Sequence, residues 1–204
     1  MPDVLTPAPS ARSKCRGCGA TIAKGEIRFG EALPNAFAEG EMTHWYHLAC
    51  AACMRPEKLL GVLTTSDPDL PDRDWLKKTA EVGLAHRRLP RLTRAERSPS
   101  SRAACRSCRQ PIEKGTWRLA LSMFEDGRLT PIGSIHIACS EAYFDTKHIL
   151  DRIERLCPLL GKEDLAEIGR ILAEAKPPPA VPAEEAAGPA GDGATPGDGA
   201  PEDA

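Results

Sequence analysis

Two clusters of cysteine and histidine constrain this 204-residue chain more than any other feature of its sequence. The ligand sets are Cys15-x2-Cys18 with His47-x2-Cys50, and Cys105-x2-Cys108 with His136-x2-Cys139. Three thiolates and one imidazole form a closed tetrahedral set for zinc, because no coordination position remains for a substrate or an activated water. We therefore expect two structural Zn²⁺ ions, one in each cluster.

The sequence around the clusters repeats at an offset of ninety residues. The positions Pro9, Ser10, Arg12, Cys15, Arg16, Cys18, Ile22, Lys24, Gly25 and Arg28 recur as Pro99, Ser100, Arg102, Cys105, Arg106, Cys108, Ile112, Lys114, Gly115 and Arg118. A match of this density indicates two copies of one module. Because arginines recur together with the zinc ligands, the repeat preserves positive charge as well as a metal site.

Composition and cysteine usage favour small metal-stabilised domains. Aromatic residues make up only 4% of the chain, which is too few for one large core. Six of the eight cysteines fall in the clusters, which leaves Cys53 and Cys157 unassigned. A disulfide scaffold is the alternative, but residues 1–12 contain no apolar run typical of a secretion signal. We expect an intracellular protein in a reducing compartment, without a membrane segment, because no apolar stretch approaches about 20 residues.

Charge is unevenly distributed along the chain, whose formal net charge is −2. Residues 1–100 carry a net charge of +3 and residues 101–176 carry +1, whereas residues 177–204 carry −6. The two modules are thus mildly basic and the tail is acidic. So small a positive charge implies that any phosphate binding depends on individually placed arginines more than on a broad electrostatic field.

Five segments are predicted along the chain. They are a disordered lead (residues 1–11), a first module (12–83), an Arg-rich linker (84–101), a second module (102–176) and a disordered acidic tail rich in Pro, Ala and Gly (177–204). Within the modules we expect a short strand at Glu26–Gly30, a helix at Asp74–Ala80, and two amphipathic helices at Ile149–Leu156 and Leu165–Leu172. The linker arginines either follow a phosphate backbone or form a solvated surface.

The spacing of the ligands resembles one family of zinc fingers. Between the second cysteine and the histidine lie 28 residues in the first copy and 27 in the second, more than the roughly twelve of compact helix-reading fingers. The flanking residues are Arg12-x2-Cys15-x2-Cys18, Ile22–Arg28, His44–His47-x2-Cys50 and Trp75–Gly83, and in the second copy Arg102-x2-Cys105-x2-Cys108, Ile112–Leu119 and His136-x2-Cys139. This pattern resembles the PARP-type zinc finger of poly(ADP-ribose) polymerases and nick-sensing DNA ligase. In the second copy, Ser134-Ile135 stand where that family has an aromatic pair.

The resemblance implies a fold and a set of DNA contacts. The fold is a pair of small α+β zinc-stabilised domains, two tandem PARP-type zinc fingers with disordered termini. In such fingers two arginines hold phosphates around a break, and an apolar loop before the histidine stacks on the exposed base pairs. The corresponding residues here are Arg12, Arg28, Phe37 and Met42 in the first copy and Arg102, Arg118, Phe124 and Leu129 in the second. A planar guanidinium suits phosphate because it can donate two parallel hydrogen bonds. The ordinary alternatives are solvated arginines and aromatic side chains that cap small cores.

We therefore expect a zinc-dependent, non-enzymatic protein that binds DNA nicks, gaps or ends. A protein-interaction adaptor, with the tail or the linker contacting a protein partner, is the alternative. A hydrolytic zinc enzyme is a weaker hypothesis because both metal sites are closed, and single-stranded RNA is a variant ligand. The Ala-, Arg-, Pro- and Gly-rich usage suggests a high-GC bacterium, where the place of action is the cytoplasm and nucleoid; in a eukaryote it is the nucleus.

Overall fold

A computed structural model of the chain describes residues 2–35, 39–65, 70–125, 128–174 and 176. Its first half contains β1 (Val4–Pro7), β2 (Ile27–Pro34), β3 (Glu41–His47), α1 (Leu48–Met54), α2 (Pro56–Thr65) and α3 (Arg73–Ala85). Its second half contains β4 (Leu92–Arg97), β5 (Trp117–Glu125), β6 (Arg128–His136), α4 (Ser140–Phe144), α5 (Leu150–Leu156) and α6 (Lys162–Glu174). Short 3₁₀ turns lie at Leu89–Arg91 and Ile137–Cys139. Each half is a sheet followed by helices, which confirms the α+β class predicted from the sequence.

The two sheets have the same topology. Each has three antiparallel strands in chain order, β1-β2-β3 and β4-β5-β6. Equivalent rows across the sheets are Thr6, Arg28 and His47 in the first module and Glu96, Arg118 and His136 in the second. Residues paired across an antiparallel ladder lie on one face. The histidine of each Cys/His cluster therefore shares a face with an arginine that is predicted to contact phosphate.

Two predicted segment boundaries are wrong. Val4–Pro7 lie in β1, paired with β2, although residues 1–11 were expected to be disordered. Leu92–Arg97 lie in β4, so the predicted Arg-rich linker supplies a strand to the second sheet. Both strands are short and lie at a sheet edge, where backbone hydrogen bonds to one neighbour hold them without a strong apolar pattern. The predicted acidic tail, residues 177–204, lies outside the described residues.

The helices agree better with the sequence pattern. The predicted helix at Asp74–Ala80 forms the first half of α3, and the two amphipathic segments correspond to α5 and α6. The expected strand at Glu26–Gly30 is the first part of the longer β2. None of the helices in the described part of the chain has the length and apolar character needed to span a lipid bilayer.

The first core lies between β2–β3 and the helices. Phe29 and Tyr46 are paired across the sheet and fully buried, with ring centroids 6.2 Å apart. Helix α1 packs closely against them because its buried side chains are mostly small, including Ala51 and Ala52. The short helix thereby brings its first-turn cysteine toward the end of β3.

The second core replaces this aromatic pair with aliphatic residues. Leu119 and Ile135, paired across β5 and β6, are both fully buried. On the opposite face of the first sheet, Trp45 lies over Gly30, where an added Cβ would come within 2.5 Å of the indole ring. In the second sheet the equivalent pair is Ser134 and Ala120. The second module has no indole ring at the position of Trp45, so the position of Gly30 can carry a side chain. The change from Trp to Ser thus accompanies the change from Gly to Ala.

A charged side chain joins the modules near the sheet ends. Arg55, at the end of α1, donates from Nε to Glu31 Oε2 at 2.8 Å and makes a second bond to the same carboxylate, which is fully buried. The guanidinium also lies over the ring of Phe124 on β5, 3.7 Å from its centroid. One cation thus satisfies a buried carboxylate of the first module and stacks on an aromatic residue of the second.

A buried arginine fastens the modules at their helices. Arg152 on α5 is only 4% exposed, and it donates to the backbone carbonyls of Cys53 at 2.9 Å and Thr79 at 2.6 Å. A Cβ added at Gly83 would come within 3.2 Å of the same guanidinium, so this glycine leaves space for it. The second module therefore caps carbonyls of two helices of the first.

Replacing Arg152 by Ala should destabilise the zinc-loaded protein by about 1–3 kcal/mol, because the backbone carbonyls of Cys53 and Thr79 each lose a donor. Urea unfolding followed by circular dichroism measures the change. Arg87→Ala, which removes an exposed arginine, is the matched control. An Arg152→Ala effect no larger than that control would show that this contact does not hold the modules together.

Candidate zinc centres and nucleic-acid interface

Each Cys/His cluster is assembled from three parts of its module. A Cys-x2-Cys turn supplies two thiols, the last residue of the third strand supplies the imidazole, and the following helical turn supplies the last thiol. The turns close with Gly19 and Arg109 in the left-handed conformation, at φ of 76° and 66°. Their N–H groups donate to the carbonyls of Cys15 and Cys105, both at 2.9 Å.

The four ligand atoms converge in both clusters. Within each set, every pair of ligand atoms lies within 4.8 Å. In the first cluster, Nδ1 of His47 is 3.4 Å from Sγ of Cys18 and 3.9 Å from Sγ of Cys50. The corresponding distances in the second cluster are also 3.4 and 3.9 Å. A tetrahedral zinc with ordinary Zn–S and Zn–N bonds places nitrogen and sulfur about 3.6 Å apart, so the residues fit the metal.

Contacts around the ligands favour thiolate and a fixed imidazole tautomer. The backbone N–H of His47 donates to Sγ of Cys15 at 3.4 Å, and that of His136 donates to Sγ of Cys105 at the same distance. Nε2 of His136 lies 3.0 Å from the Pro111 carbonyl. A proton on Nε2 leaves Nδ1 free to bind metal, which is the arrangement that oriented metal-binding histidines require.

The closely packed thiols compete for negative charge. A hydrogen bond with Cys18, and then one with Cys50, lowers the pKa of Cys15 to about 3. Hydrogen bonds with Cys15 and Cys18 raise the pKa of Cys50, and burial raises that of Cys139. A divalent cation removes this competition because it favours all three thiolates together. The donor set and its packing therefore match a structural zinc ion in each module.

The strand arginine of the first module is buried beside the metal site. Arg28 is 6% exposed, its guanidinium lies 3.5 Å above the centroid of the Trp45 ring, and its Nη1 donates to Oγ of Ser13 at 2.5 Å. Among the described residues, the Arg28 guanidinium thus contacts an indole ring and a hydroxyl, and no carboxylate pairs with it. Arg12, the residue before Ser13, is exposed. Of the two arginines predicted to contact phosphate in this module, one is therefore buried and one lies at the surface.

The strand arginine of the second module is held differently. Nε and Nη2 of Arg118 donate to Oε1 of Glu96 at 3.0 and 2.5 Å, while Nε of Arg94 lies 2.6 Å from Oε2. Burial raises the pKa of the Glu96 carboxyl, but the hydrogen bonds from the two arginines outweigh it and the pKa is lowered. Arg102 is exposed like Arg12. The second module therefore neutralises its strand arginine internally.

Three of the predicted base-stacking residues lie together in one cleft between the modules. This inter-module cleft has a volume of about 460 Å³ and is lined by Arg16, Met42, His44, Tyr46, Phe124, Arg128 and Leu129. Phe124 and Leu129 pair across β5 and β6, and the ring of His44 meets Phe124 edge-on at 6.3 Å. Since Arg55 covers one face of Phe124, the ring is partly committed to holding the modules together. The fourth predicted residue, Phe37, lies outside the described residues.

Sequence reasoning missed several residues that line the inter-module cleft or contact a strand arginine. Arg16 recurs as Arg106 in the repeat, a signal that was visible but carried no assigned role. His44 and Tyr46 also line the cleft, and among the described residues neither His44 Nδ1 nor the Tyr46 hydroxyl has a hydrogen-bond partner. Glu96 carried no signal, because its role depends on the pairing of a strand that was read as a linker.

Two closed Cys₃His centres in repeated sheet-and-helix modules define a protein with tandem zinc-stabilised fingers. Residues 7–83 match the family described as the poly(ADP-ribose) polymerase and DNA-ligase zinc-finger region. This match confirms the resemblance of the first module to the PARP-type zinc finger. The second module repeats the ligand pattern and the sheet topology of the first.

Three poly(ADP-ribose) polymerases are similar to part of this chain. Poly [ADP-ribose] polymerase 1 of Gallus gallus is 29% identical over 136 residues, which cover 57% of this chain and 13% of that protein. The Xenopus laevis protein of the same name is 27% identical over 129 residues, covering 55% and 13%. Poly [ADP-ribose] polymerase of Drosophila melanogaster is 27% identical over 139 residues, covering 61% and 14%. The chain thus corresponds to a small part of each relative.

A ligand cysteine and a non-ligand cysteine on the same helix offer a test of the zinc assignment. Cys50 and Cys53 are both buried on α1, but only Cys50 belongs to a cluster. Cys50→Ala should reduce the zinc content of purified protein from two ions per chain to one, whereas Cys53→Ala should retain two. Metal analysis by mass spectrometry measures both. Two ions bound to the Cys50→Ala variant would contradict the assignment.

Proposed function

We propose that this chain is a zinc-dependent, non-catalytic DNA-binding protein that recognises nicks, gaps or ends. The observation that carries the proposal is the inter-module cleft, where three residues predicted to stack on bases, one from the first finger and two from the second, lie beside Arg16: Met42, Phe124 and Leu129. Apolar and aromatic side chains next to cations are the combination that holds an unpaired or exposed base together with its phosphate. Both fingers then act on one discontinuity.

The shape of this surface favours a break over an intact duplex. In a continuous helix each base pair is covered by its neighbours, so an apolar cleft finds no base face to contact. At a nick or an end, one base face becomes accessible, and stacking on it contributes about 1–3 kcal/mol. Recognition of this kind depends on the discontinuity and on phosphate contacts, neither of which reads the base sequence.

Phosphate contacts come from placed arginines in this proposal. Arg12 and Arg102 are exposed, and Arg12 lies next to the Ser13 hydroxyl that holds Arg28. The guanidinium of Arg28 keeps an unpartnered Nε among the described residues and has no neutralising carboxylate there. Positive charge therefore persists at this point of the first finger, even though the net charge of the chain is slightly negative.

A protein-interaction adaptor is the second candidate. Burial of Arg28 and the ion pair of Arg118 favour it, because both side chains already have intramolecular contacts. In that case the fingers serve as rigid scaffolds, and a protein partner binds elsewhere on the chain, such as the acidic tail. This candidate predicts no preference among DNA structures.

The place of action follows from the ligand. A DNA-binding role places the chain with the genome, which is the nucleus in a eukaryote and the nucleoid in a bacterium. Its relatives named above are proteins of animals, in which the genome lies in the nucleus.

Fluorescence anisotropy with a nicked hairpin, a closed duplex and single-stranded DNA tests the proposal. At about 100 mM salt, the zinc-loaded protein should bind the nicked hairpin most tightly, and EDTA should abolish binding because the fingers unfold. Arg12→Ala should weaken binding to the nick about 5- to 10-fold through loss of one phosphate contact. Lys58→Ala, which removes an exposed cation from α2, should have little effect.

Equal affinity for all three DNAs would favour the adaptor. A stronger preference for single strands than for the nicked hairpin would redirect the proposal to single-stranded nucleic acid, including RNA. Unchanged binding by Arg12→Ala, with the nick preference intact, would remove that residue from the interface without removing the function.

A further inference from the structure

The two fingers differ at the position that faces the strand arginine. Thr6 pairs with Arg28 across β1 and β2, whereas Glu96 pairs with Arg118 across β4 and β5. These positions are ninety residues apart and therefore equivalent in the repeat. A neutral hydroxyl residue in one copy is replaced by a carboxylate in the other.

A second equivalent position changes in the complementary direction. Ser13 accepts the hydrogen bond from Arg28, and its counterpart ninety residues later is Ala103, which has no side-chain acceptor. The first arginine is thus held by a neutral hydroxyl and the second by a carboxylate. Glu96 also binds Arg94 through its other oxygen, so one carboxylate engages two guanidinium groups.

We propose that Glu96 is an internal competitor for phosphate in the second finger. Its two oxygens occupy donors of Arg118 and Arg94 that a DNA phosphate would otherwise take. A phosphate must displace this carboxylate or bind beside it, and either event is opposed by like charge. The first finger, which lacks the carboxylate, therefore supplies the stronger phosphate contact. This inference rests on the proposed function.

The exposure of these side chains shows which cations the Glu96 carboxylate affects. The Glu96 side chain is 26% exposed and that of Arg118 is 16% exposed, so the pair is partly shielded from water and ions. Arg94, by contrast, is 63% exposed at its side chain. Loss of the carboxylate releases one shielded cation and one exposed cation on the same strand pair. The expected gain in DNA affinity therefore requires Arg118 or Arg94 and does not arise from net charge alone.

The test compares charge-changing variants in the full zinc-loaded chain, with the nicked hairpin as probe. Glu96→Gln keeps the size of the side chain and one acceptor oxygen for the arginines. Glu96→Thr combined with Ala103→Ser copies the first finger, and Thr6→Glu makes the reciprocal change there. Glu141→Gln removes the same charge from the exposed surface of α4 and serves as the control. Thermal unfolding verifies that each variant is folded.

Glu96→Gln and the double variant should each bind about 5- to 10-fold more tightly at about 0.1 M salt, as expected for one additional phosphate contact. The plot of log affinity against log salt should steepen by about one unit. Thr6→Glu should weaken binding by a similar factor. Combining Glu96→Gln with Arg94→Ala and Arg118→Ala should remove the gain.

Several results overturn the inference. Glu96→Gln that binds no more tightly than Glu141→Gln, or a gain that survives loss of both arginines, shows that Glu96 does not compete for phosphate. If the unmodified chain binds nicked and closed DNA alike, the proposed function fails before these variants are read. A chain that prefers the nick but is indifferent to Glu96 disproves the competition alone.

Discussion

Coordination of one zinc ion by three thiolates and an imidazole is the interaction on which each module depends. It joins a backbone turn, the end of a sheet strand and the start of a helix, which are otherwise held by a few small cores. In small domains such ligand sets contribute on the order of 10–16 kcal/mol, comparable to the entire stability of a folded domain. The metal also fixes the surface, because the segment that leads to the first cysteine contains Ser13, which accepts a hydrogen bond from Arg28 on β2.

The modules share this metal site and differ in what surrounds it. One copy places Trp45 over Gly30 and stacks Arg28 on the indole, whereas the other uses Ser134 and Ala120 and pairs Arg118 with Glu96. The copies are also docked, through the buried Arg152 and through Arg55 between Glu31 and Phe124. The two docked fingers are therefore unequal. The strand arginine of the first has no neutralising carboxylate among the described residues, that of the second has one, and both fingers line one cleft.

The sequence predicted what is encoded locally. Ligand spacing identified both clusters, the ninety-residue offset identified the repeat, and helical periodicity identified α5 and α6. Strands β1 and β4 escaped prediction because edge pairing depends on backbone hydrogen bonds to a neighbour that the sequence does not name. The Glu96–Arg118 pair and the cleft escaped for the same reason, since each requires a register or a docking geometry. Of the predicted DNA contacts, the structure describes positions and neighbours for all but Phe37, and their roles stay predictions.

Titration of zinc into metal-free protein, with two signals recorded together, tests the account most directly. Tryptophan fluorescence reports folding, because Trp45 and Trp117 lie within the two modules, and anisotropy of a labelled nicked hairpin reports DNA binding. The account predicts that both signals change together and reach their final values at two zinc ions per chain. Native-like fluorescence without zinc, or DNA binding that is indifferent to the metal, would contradict it.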